Sequence, residues 1–237
     1  MTDRPSILVP VEILEGEAIP EGVPELLANA HVVLLGYHVI PEQTASGQAR
    51  MQFEDRAHER LDELEAILTE AGATVETVLV FTHGKDKTIN RITDEHDCLA
   101  VLLPSTTAPL ENVLVAVRGN VGADRLTRVV AGLFADTEAT ITLYHAIDED
   151  ETGEDAELLL ESVSDRLVDL GMDETQLSQT IDQVSDSPLS AIIDESDAYD
   201  AVVMGESDPS VKTFVFGMPT EQLAKQFMGP VFVVQRQ

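Results

Sequence analysis

The chain alternates between short apolar runs and longer segments in which apolar residues recur every three or four positions. The short runs predict buried parallel strands, and the longer segments predict amphipathic helices. The longest helix candidate ends at Gly72, a residue type that favours helix termination. In the first part of the chain, the predicted strands are Ser6–Leu14, His31–Ile40, Thr74–Phe81 and Cys98–Leu103, and the predicted helices are Pro24–Ala30, Gln48–Ala71 and Asp86–Glu95.

After Pro104 the same alternation begins again. Strands that alternate with helices predict an α/β fold, in which a parallel sheet is covered by helices on both faces. The second set of predicted strands is Asn112–Val117, Thr140–Ile147, Leu177–Val184, Ala201–Met204 and Val231–Val234, and its helices are Ala123–Phe134, Ala156–Leu170, Pro188–Glu195 and Thr220–Phe227.

Matching segments indicate an internal duplication. Leu-Gly-Tyr-His-Val-Ile at 35–40 matches Thr-Leu-Tyr-His-Ala-Ile at 142–147. Ile89, Ile92, Asp94, Glu95 and Asp97 match Leu189, Ile192, Asp194, Glu195 and Asp197. We therefore predict two tandem domains, at 1–105 and 110–237. The first is truncated, because it lacks the last helix and the fifth strand of the second.

Charge is the strongest compositional feature. The sequence has 44 acidic and 14 basic residues, for a net charge of -30, and the acids are dispersed along the chain. A dispersed acidic surface fits a cytoplasmic protein adapted to high salt, where screening limits self-repulsion. An ordinary acidic protein is the alternative. Nucleic acid is a poor partner for either, because binding it requires basic residues that neutralise phosphates.

The remaining composition narrows the class further. No apolar run approaches the ~20 residues of a membrane-spanning helix. The N-terminus leads directly into a strand, so no secretory signal is expected. The single cysteine, Cys98, excludes an intramolecular disulfide and an all-cysteine metal site. It begins a predicted strand, so we expect a core residue rather than a nucleophile.

The segment after the strand at 201–204 has the outline of a phosphate-binding loop. Gly205 ends the strand, and Gly217 precedes the predicted helix. Strand, glycine loop and helix start is an arrangement that brings backbone N–H groups to a phosphate. In a parallel sheet the ligand site lies beyond the carboxyl ends of the strands. That edge is expected near Val117, Ile147 and Gly205.

Four segments resemble the universal stress protein family: Asn-Val-Leu-Val-Ala-Val at 112–117, Leu-Tyr-His-Ala-Ile-Asp at 143–148, Tyr-Asp-Ala-Val-Val-Met-Gly at 199–205 and Gly-Pro-Val-Phe-Val-Val at 229–234. The resemblance covers the second half, and the first half looks like a truncated copy. It implies two tandem Rossmann-like, adenine nucleotide alpha hydrolase-like sandwiches with parallel sheets. It also implies a role in stress survival, and ATP binding in some members.

The sequence departs from the pattern of the family's ATP-binding members. Asp208 replaces a glycine, Met218 replaces a Ser or Thr, and Pro219 lacks an N–H. Arg118 stands where those members have an acid, whereas Glu12 keeps an acid in the copy without the loop. The resemblance therefore implies a degenerate nucleotide site, whose candidate residues are Val117, Arg118, Ala146, Gly205, Ser207, Lys212, Gly217 and Thr220.

We interpret the chain as a non-enzymatic regulatory or stress-response module with no cofactor, acting through a protein partner. One alternative is an ATP- or AMP-binding member with an adapted loop, in which Lys212 and Thr220 compensate. A second alternative is weak nucleotide phosphohydrolase activity, although no residue is a convincing base or nucleophile. Arg118 with Lys212 could form a small anion subsite; a surface salt bridge is the plainer interpretation.

Other polar residues carry plainer predictions. The histidines show no metal-ligand spacing, so no metal site is expected, and His38 and His145 are predicted to be structural residues at duplicated strand ends. The pairs Asp94/Glu95 and Asp194/Glu195 are expected at solvated helix ends. The acidic turn at 148–154 is interpreted as a salt-adapted loop, with cation binding as the alternative.

The last strand carries an assembly prediction. Val231–Val234 is apolar and is expected at a sheet edge. Unpaired edges pair readily with a second chain. We therefore predict a homodimer through this strand.

Overall fold

A computed structural model gives the fold of the 237-residue chain. The structure describes residues 4–43, 45–105, 110–118, 122–147, 151–183, 188–205, 227 and 229–235. Six helices and nine strands lie in these ranges. The strands are β1 Ser6–Glu12, β2 His31–Val39, β3 Thr74–Thr82, β4 Ala100–Leu103, β5 Asn112–Ala116, β6 Thr140–Ile147, β7 Leu177–Gln183, β8 Ala201–Gly205 and β9 Val231–Val234. The helices are α1 Val23–Leu26, α2 Ser46–Ala71, α3 Lys85–Glu95, α4 Ala123–Phe134, α5 Gly153–Asp169 and α6 Pro188–Ser196.

Every predicted strand is confirmed to within a few residues of its bounds. Helix α5 begins three residues before the predicted start at Ala156. The reason is a capping box in which the Thr152 hydroxyl accepts the Asp155 N–H and the Asp155 carboxylate accepts the Thr152 N–H. The predicted helix Thr220–Phe227 lies outside the described residues, apart from Phe227.

All nine strands form one continuous sheet in the order β3-β2-β1-β4-β9-β8-β5-β6-β7. Strands β1–β4 (the N-terminal half) pair in parallel, and strands β5–β9 (the C-terminal half) also pair in parallel. The two sets run in opposite directions, because β4 pairs with β9 antiparallel. The carboxyl ends of the two sets therefore face opposite edges of the sheet. The boundaries 1–105 and 110–237 stay a prediction.

Helices cover both faces of this sheet. One apolar core runs under both halves, from Ile7 to Phe232, and includes Leu61 of α2, Val129 of α4 and Leu160 of α5. The opposite face holds two smaller clusters, one under α3 and one under α6. Alternate strand residues point to opposite faces, as expected for a sheet buried on both sides. The predicted α/β class is confirmed.

The predicted sheet edge at β9 is wrong. Strand β9 lies between β8 and β4, and its four residues are no more than 1% exposed. The N-terminal half ends its strand set at β4, which leaves that strand free to pair with β9. The predicted homodimer through Val231–Val234 is therefore also wrong, since both sides of the strand are occupied within the chain. The outermost strands are β3 and β7.

The pairing register also corrects the comparison of the two halves. Glu12 lies opposite Tyr37, whereas Tyr144 lies opposite Ala116. Ile13 donates its N–H to the Tyr37 carbonyl, and Val117 donates to the Tyr144 carbonyl. Measured from the Tyr-His pair, Arg118 therefore corresponds to Leu14. From the sequence alone, Arg118 is compared with Glu12. The strand pairing shows that this comparison is two residues out, because Glu12 is equivalent to Ala116.

Candidate functional site at the carboxyl edge of the C-terminal half

Strands β5, β6 and β8 end together at one edge of the sheet. Ala116 pairs with Tyr144 of β6 and with Met204 of β8. This register brings the ends of these strands, with candidates Val117, Ala146 and Gly205, to one edge of the sheet. Val117 and Ala146 are buried, at 1% and 3% exposure, and the next residue after Val117 is the exposed Arg118. The sheet thus gathers four of the eight predicted site residues.

The other four candidates, Ser207, Lys212, Gly217 and Thr220, lie outside the described residues. So do Asp208, Met218 and Pro219. What the structure describes is the two ends of that segment, Gly205 and Gly229. A Cβ atom on Gly229 would lie 2.4 Å from the Asp200 carbonyl oxygen, so only glycine fits this approach. Asp200 in turn accepts the N–H groups of Glu111 and Asn112, each at 2.9 Å.

His145 is the central polar residue of this edge. Its Nδ1 lies 2.8 Å from the Val117 carbonyl oxygen, and its Nε2 lies 2.7 Å from Glu151 Oε2. Both partners are acceptors, so only the doubly protonated imidazole donates to both. The ring is 3% exposed. His145 therefore joins the end of β5 to the residue that precedes the Thr152 cap of α5.

Acidic groups surround the neighbouring tyrosine. The Tyr144 hydroxyl donates to Asp182 Oδ2 at 3.1 Å. The pKa of Tyr144 is raised, first by burial and then by this hydrogen bond and the charges of Asp182, Glu195 and Asp194. Asp182 and Glu151 together place negative charge at this edge. A phosphate group that approached it would meet like charge, at a cost that grows as water is excluded.

His38 differs from His145, although the sequence places the two at matching positions. His38 is half-buried, and its ring makes edge contacts with Phe53 and Phe81 at 5.8 and 6.2 Å between centroids. Its Nδ1 is buried and has no hydrogen-bond partner in the part of the chain that the structure describes. The two histidines therefore occupy equivalent positions in their strand pairs but contact different groups, Phe53 and Phe81 in one half and Glu151 in the other.

A second polar cluster lies at the carboxyl edge of the N-terminal half. The ligand atoms of Glu12, Glu15 and His38 all lie within 4.8 Å of one another. The spacing of histidines within one segment cannot reveal this cluster, because its one histidine lies far from its two acids in the sequence. The three residues come from β1, the turn that follows it, and β2. The available signal was a pair of acids, Glu12 and Glu15, three positions apart at the end of a predicted strand.

Cys98 is a core residue, as predicted. It is 1% exposed and belongs to the apolar cluster under α3. The Ser6 hydroxyl lies 3.7 Å from its sulfur. Burial raises the pKa of the thiol to about 11, and the Ser6 hydrogen bond offsets only part of this effect. A thiol in this state is a poor nucleophile.

The architecture is that of the Rossmann-like α/β proteins, with an open carboxyl edge at which three strands and a glycine-led segment meet. Within this class, the chain belongs to the universal stress protein family, whose model matches residues 109–235. No helix within the described part of the chain is long and apolar enough to cross a membrane.

Solved structures are similar over different shares of the chain. A universal stress protein from Archaeoglobus fulgidus DSM 4304 is 18% identical, with a TM-score of 0.67, and the match covers 98% of this chain and 96% of that one. A functionally unknown protein from Pseudomonas aeruginosa PAO1 is 18% identical, with a TM-score of 0.54, covering 99% and 94%. At this identity the likeness shows the fold alone.

A third structure matches about half of the chain. It is the universal stress protein from Archaeoglobus fulgidus in complex with dAMP, at 19% identity and a TM-score of 0.41, and it covers 52% of this chain and 97% of that one. The nucleotide belongs to that protein. A comparison with curated proteins found no match.

Proposed function

We propose that this chain is a non-enzymatic universal stress protein with a degenerate nucleotide site, acting as a regulatory or stress-response module through a protein partner. The observation that carries the proposal is the closed set of contacts around His145. The Val117 carbonyl, the imidazole and Glu151 satisfy one another at 2.8 and 2.7 Å. The Val117 carbonyl and the His145 ring therefore already have partners and are not available to a ligand. Breaking these buried hydrogen bonds to bind a ligand would be costly.

Charge supports the same proposal. Glu151 and Asp182 place negative charge at this edge, where a nucleotide's phosphates would also be negative. The loop sequence adds Asp208 and removes a donor at Pro219. The loop therefore gains a negative charge and loses a backbone donor at the same time. Lys212 and Thr220 would have to offset both changes for a phosphate to bind.

Calorimetric titration with Mg-ATP and with AMP at molar KCl tests this proposal. We expect no saturable binding tighter than ~100 μM, since background phosphate affinity is usually near millimolar. Tighter saturable binding would overturn the proposal in favour of an ATP- or AMP-binding protein with an adapted loop. Lys212→Ala would then locate the site. If the loop binds the nucleotide, this variant loses affinity, whereas Lys87→Ala, on α3 of the other half, does not.

The enzymatic alternative has its own test. Weak phosphohydrolase activity requires a group that activates water, and the histidine at this edge is already paired at both ring nitrogens. We expect nucleotide turnover in the presence of the protein to equal turnover in buffer. Turnover above the buffer rate that falls in a Glu151→Gln variant would establish an enzyme.

A further inference from the structure

The cluster of Glu12, Glu15 and His38 has the composition of a metal site. Glu12 is the last residue of β1, Glu15 lies in the turn that follows, and His38 lies near the end of the adjacent β2. Their ligand atoms lie within 4.8 Å of one another. Two carboxylates and one imidazole form a mixed oxygen and nitrogen set, which differs from the all-oxygen sets that Mg²⁺ and Ca²⁺ prefer.

One buried atom of His38 is unsatisfied. Its Nδ1 is shielded from solvent and has no hydrogen-bond partner among the described residues. Buried polar atoms of this kind are uncommon, and each one calls for an explanation such as an unseen ion or water. Phe53 and Phe81 hold the ring by edge contacts on α2 and β3. The imidazole is thus fixed in place beside two carboxylates.

Glu12 is also held in place by its neighbours. Its backbone N–H donates to Glu17 Oε2 at 2.6 Å, and its carboxylate lies near the hydroxyl of Tyr37, which is 2% exposed. Burial raises the pKa of Tyr37, followed by the charges of Glu17, Glu12 and Asp86. A buried tyrosine that orients a ligand carboxylate is the kind of outer contact that supports metal ligands.

The surroundings carry charges of both signs, since Arg60 donates to the Glu17 carbonyl and three acids lie close together in the sequence. Glu12, Glu15 and Glu17 lie within six positions of one another, in a chain of net charge -30. Lys85 of α3 lies over the Tyr37 ring, 5.4 Å from its centroid. Carboxylates this close together repel one another unless a positive ion lies between them. A divalent ion at the cluster would relieve that repulsion and could take one ring nitrogen of His38 as a ligand.

We propose that Glu12, Glu15 and His38 bind a divalent transition-metal ion of the zinc type, with water completing its coordination. Bonds of about 2.0–2.2 Å to a zinc ion place neighbouring ligand atoms roughly 3–3.5 Å apart. The cluster therefore closes slightly on binding. Glu15 is exposed and supplies that movement, while Glu12 and His38 stay fixed. The site lies on the opposite sheet edge from the nucleotide candidates, so it stands independently of the proposed function.

The test is a titration of the metal-free, full-length protein with Zn²⁺ at molar KCl, followed by calorimetry. We expect one ion per chain with a dissociation constant in the micromolar range or tighter. Glu15→Gln and His38→Gln should each weaken binding at least tenfold, because each removes one of three ligands. Co²⁺ provides a second readout, since its visible absorption reports nitrogen and oxygen coordination and should change in His38→Gln.

A neighbouring histidine provides the control. His96 lies 3.3 Å from Glu76 and is the most obvious place for adventitious zinc binding in the same half. His96→Gln should leave the tight site unchanged. Binding that survives both Glu15→Gln and His38→Gln, or that disappears in His96→Gln, would overturn the proposal. Displacement by a modest excess of Mg²⁺ would also overturn it. Glu15 is exposed, so its variant tests the site without disturbing the core.

Discussion

Val101 of β4 lies directly opposite Val233 of β9 in an antiparallel pairing. Val101 belongs to the N-terminal half and Val233 to the C-terminal half, so this pair lies at the junction that makes one sheet of two parallel sets. The Gln235 N–H continues the junction by donating to the Leu99 carbonyl at 2.8 Å. The two halves therefore share backbone hydrogen bonds as well as one apolar core.

Loss of a core side chain at this junction should destabilise the whole chain. Phe232 is fully buried in the core that runs under both halves. We expect Phe232→Ala to lower the free energy of unfolding by about 3–5 kcal/mol in a single denaturant transition at molar KCl. Met51→Ala, at an 86% exposed position, should change it by less than about 0.5 kcal/mol. Two separate transitions, one of them unchanged by Phe232→Ala, would contradict a shared core.

Removal of the N-terminal half should expose a new sheet edge. In residues 110–237 alone, β9 has no β4 partner, and its free N–H and C=O groups can pair with a second copy. We expect this fragment to form a dimer by light scattering.

Val233→Pro is the matched control for that fragment. The N–H groups of β9 alternate between β8 and β4, and Gln235 donates to Leu99 on the β4 side. Val233 therefore also donates on that side, and proline there blocks edge pairing while sparing β8. The variant fragment should be monomeric. A dimer that Val233→Pro leaves unchanged would show that another surface assembles it.

The contact between His145 and Glu151 should stabilise the C-terminal half even at high salt. The two atoms lie 2.7 Å apart, and the side chains are 4% and 27% exposed. Glu151→Ala leaves a buried ring nitrogen without its acceptor, so we expect a loss of about 1–3 kcal/mol in chemical denaturation. Glu157→Ala, at an exposed position of α5, is the control. Equal effects of the two changes would show that the contact contributes nothing specific.

Cys98 should react slowly in the folded protein. Its pKa rises from 9.0 to about 11, which leaves about a hundredfold less thiolate at pH 8. An aromatic disulfide reagent should therefore modify the native protein at least a hundredfold more slowly than the denatured protein. The raised pKa also means that the stabilising contribution of the neutral thiol is complete below pH 9 and declines as the pH rises toward 11. Rapid native-state modification at pH 8 would contradict the buried placement.

Salt should stabilise this protein strongly if its acidity is an adaptation to high salt. A net charge of -30 on 237 residues favours unfolding through self-repulsion, and dissolved salt screens that repulsion. We expect the unfolding temperature to rise continuously between low and molar KCl. An unfolding temperature that stays constant across this range would favour the interpretation of an ordinary acidic protein.

Local pattern was enough to predict the secondary structure. Each strand and most helix bounds follow from apolar spacing and from residues such as Gly72, whose conformation has a φ of 113°. The largest local errors were at helix ends: α1 ends at Leu26, four residues before the predicted Ala30, and α5 begins three residues early because of the Thr152–Asp155 capping box. The edge where β5, β6 and β8 meet was also predicted, because parallel strands place their carboxyl ends together.

Pairing between distant segments was not predictable in the same way. The apolar character of Val231–Val234 indicates a buried strand but does not indicate which strand covers it. Likewise, the Tyr-His matches do not reveal that Glu12 lies opposite Tyr37 while Ala116 lies opposite Tyr144. His38 and His145 occupy equivalent strand positions, and their surroundings differ because the segments packed against each strand end supply Phe53 and Phe81 in one half and Glu151 in the other.

The amino-acid sequence by itself determined the α/β class, the order of the elements and the excess of acidic residues, because periodicity and composition are local properties, and the resemblance of four strand segments indicated the family. Tertiary structure decided how the two halves join, since β4 and β9 are 128 or more positions apart and nothing local relates them. It also decided which polar groups meet. His145 pairs with Glu151, whereas His38 meets Glu12 and Glu15, because register and turn geometry bring these side chains together.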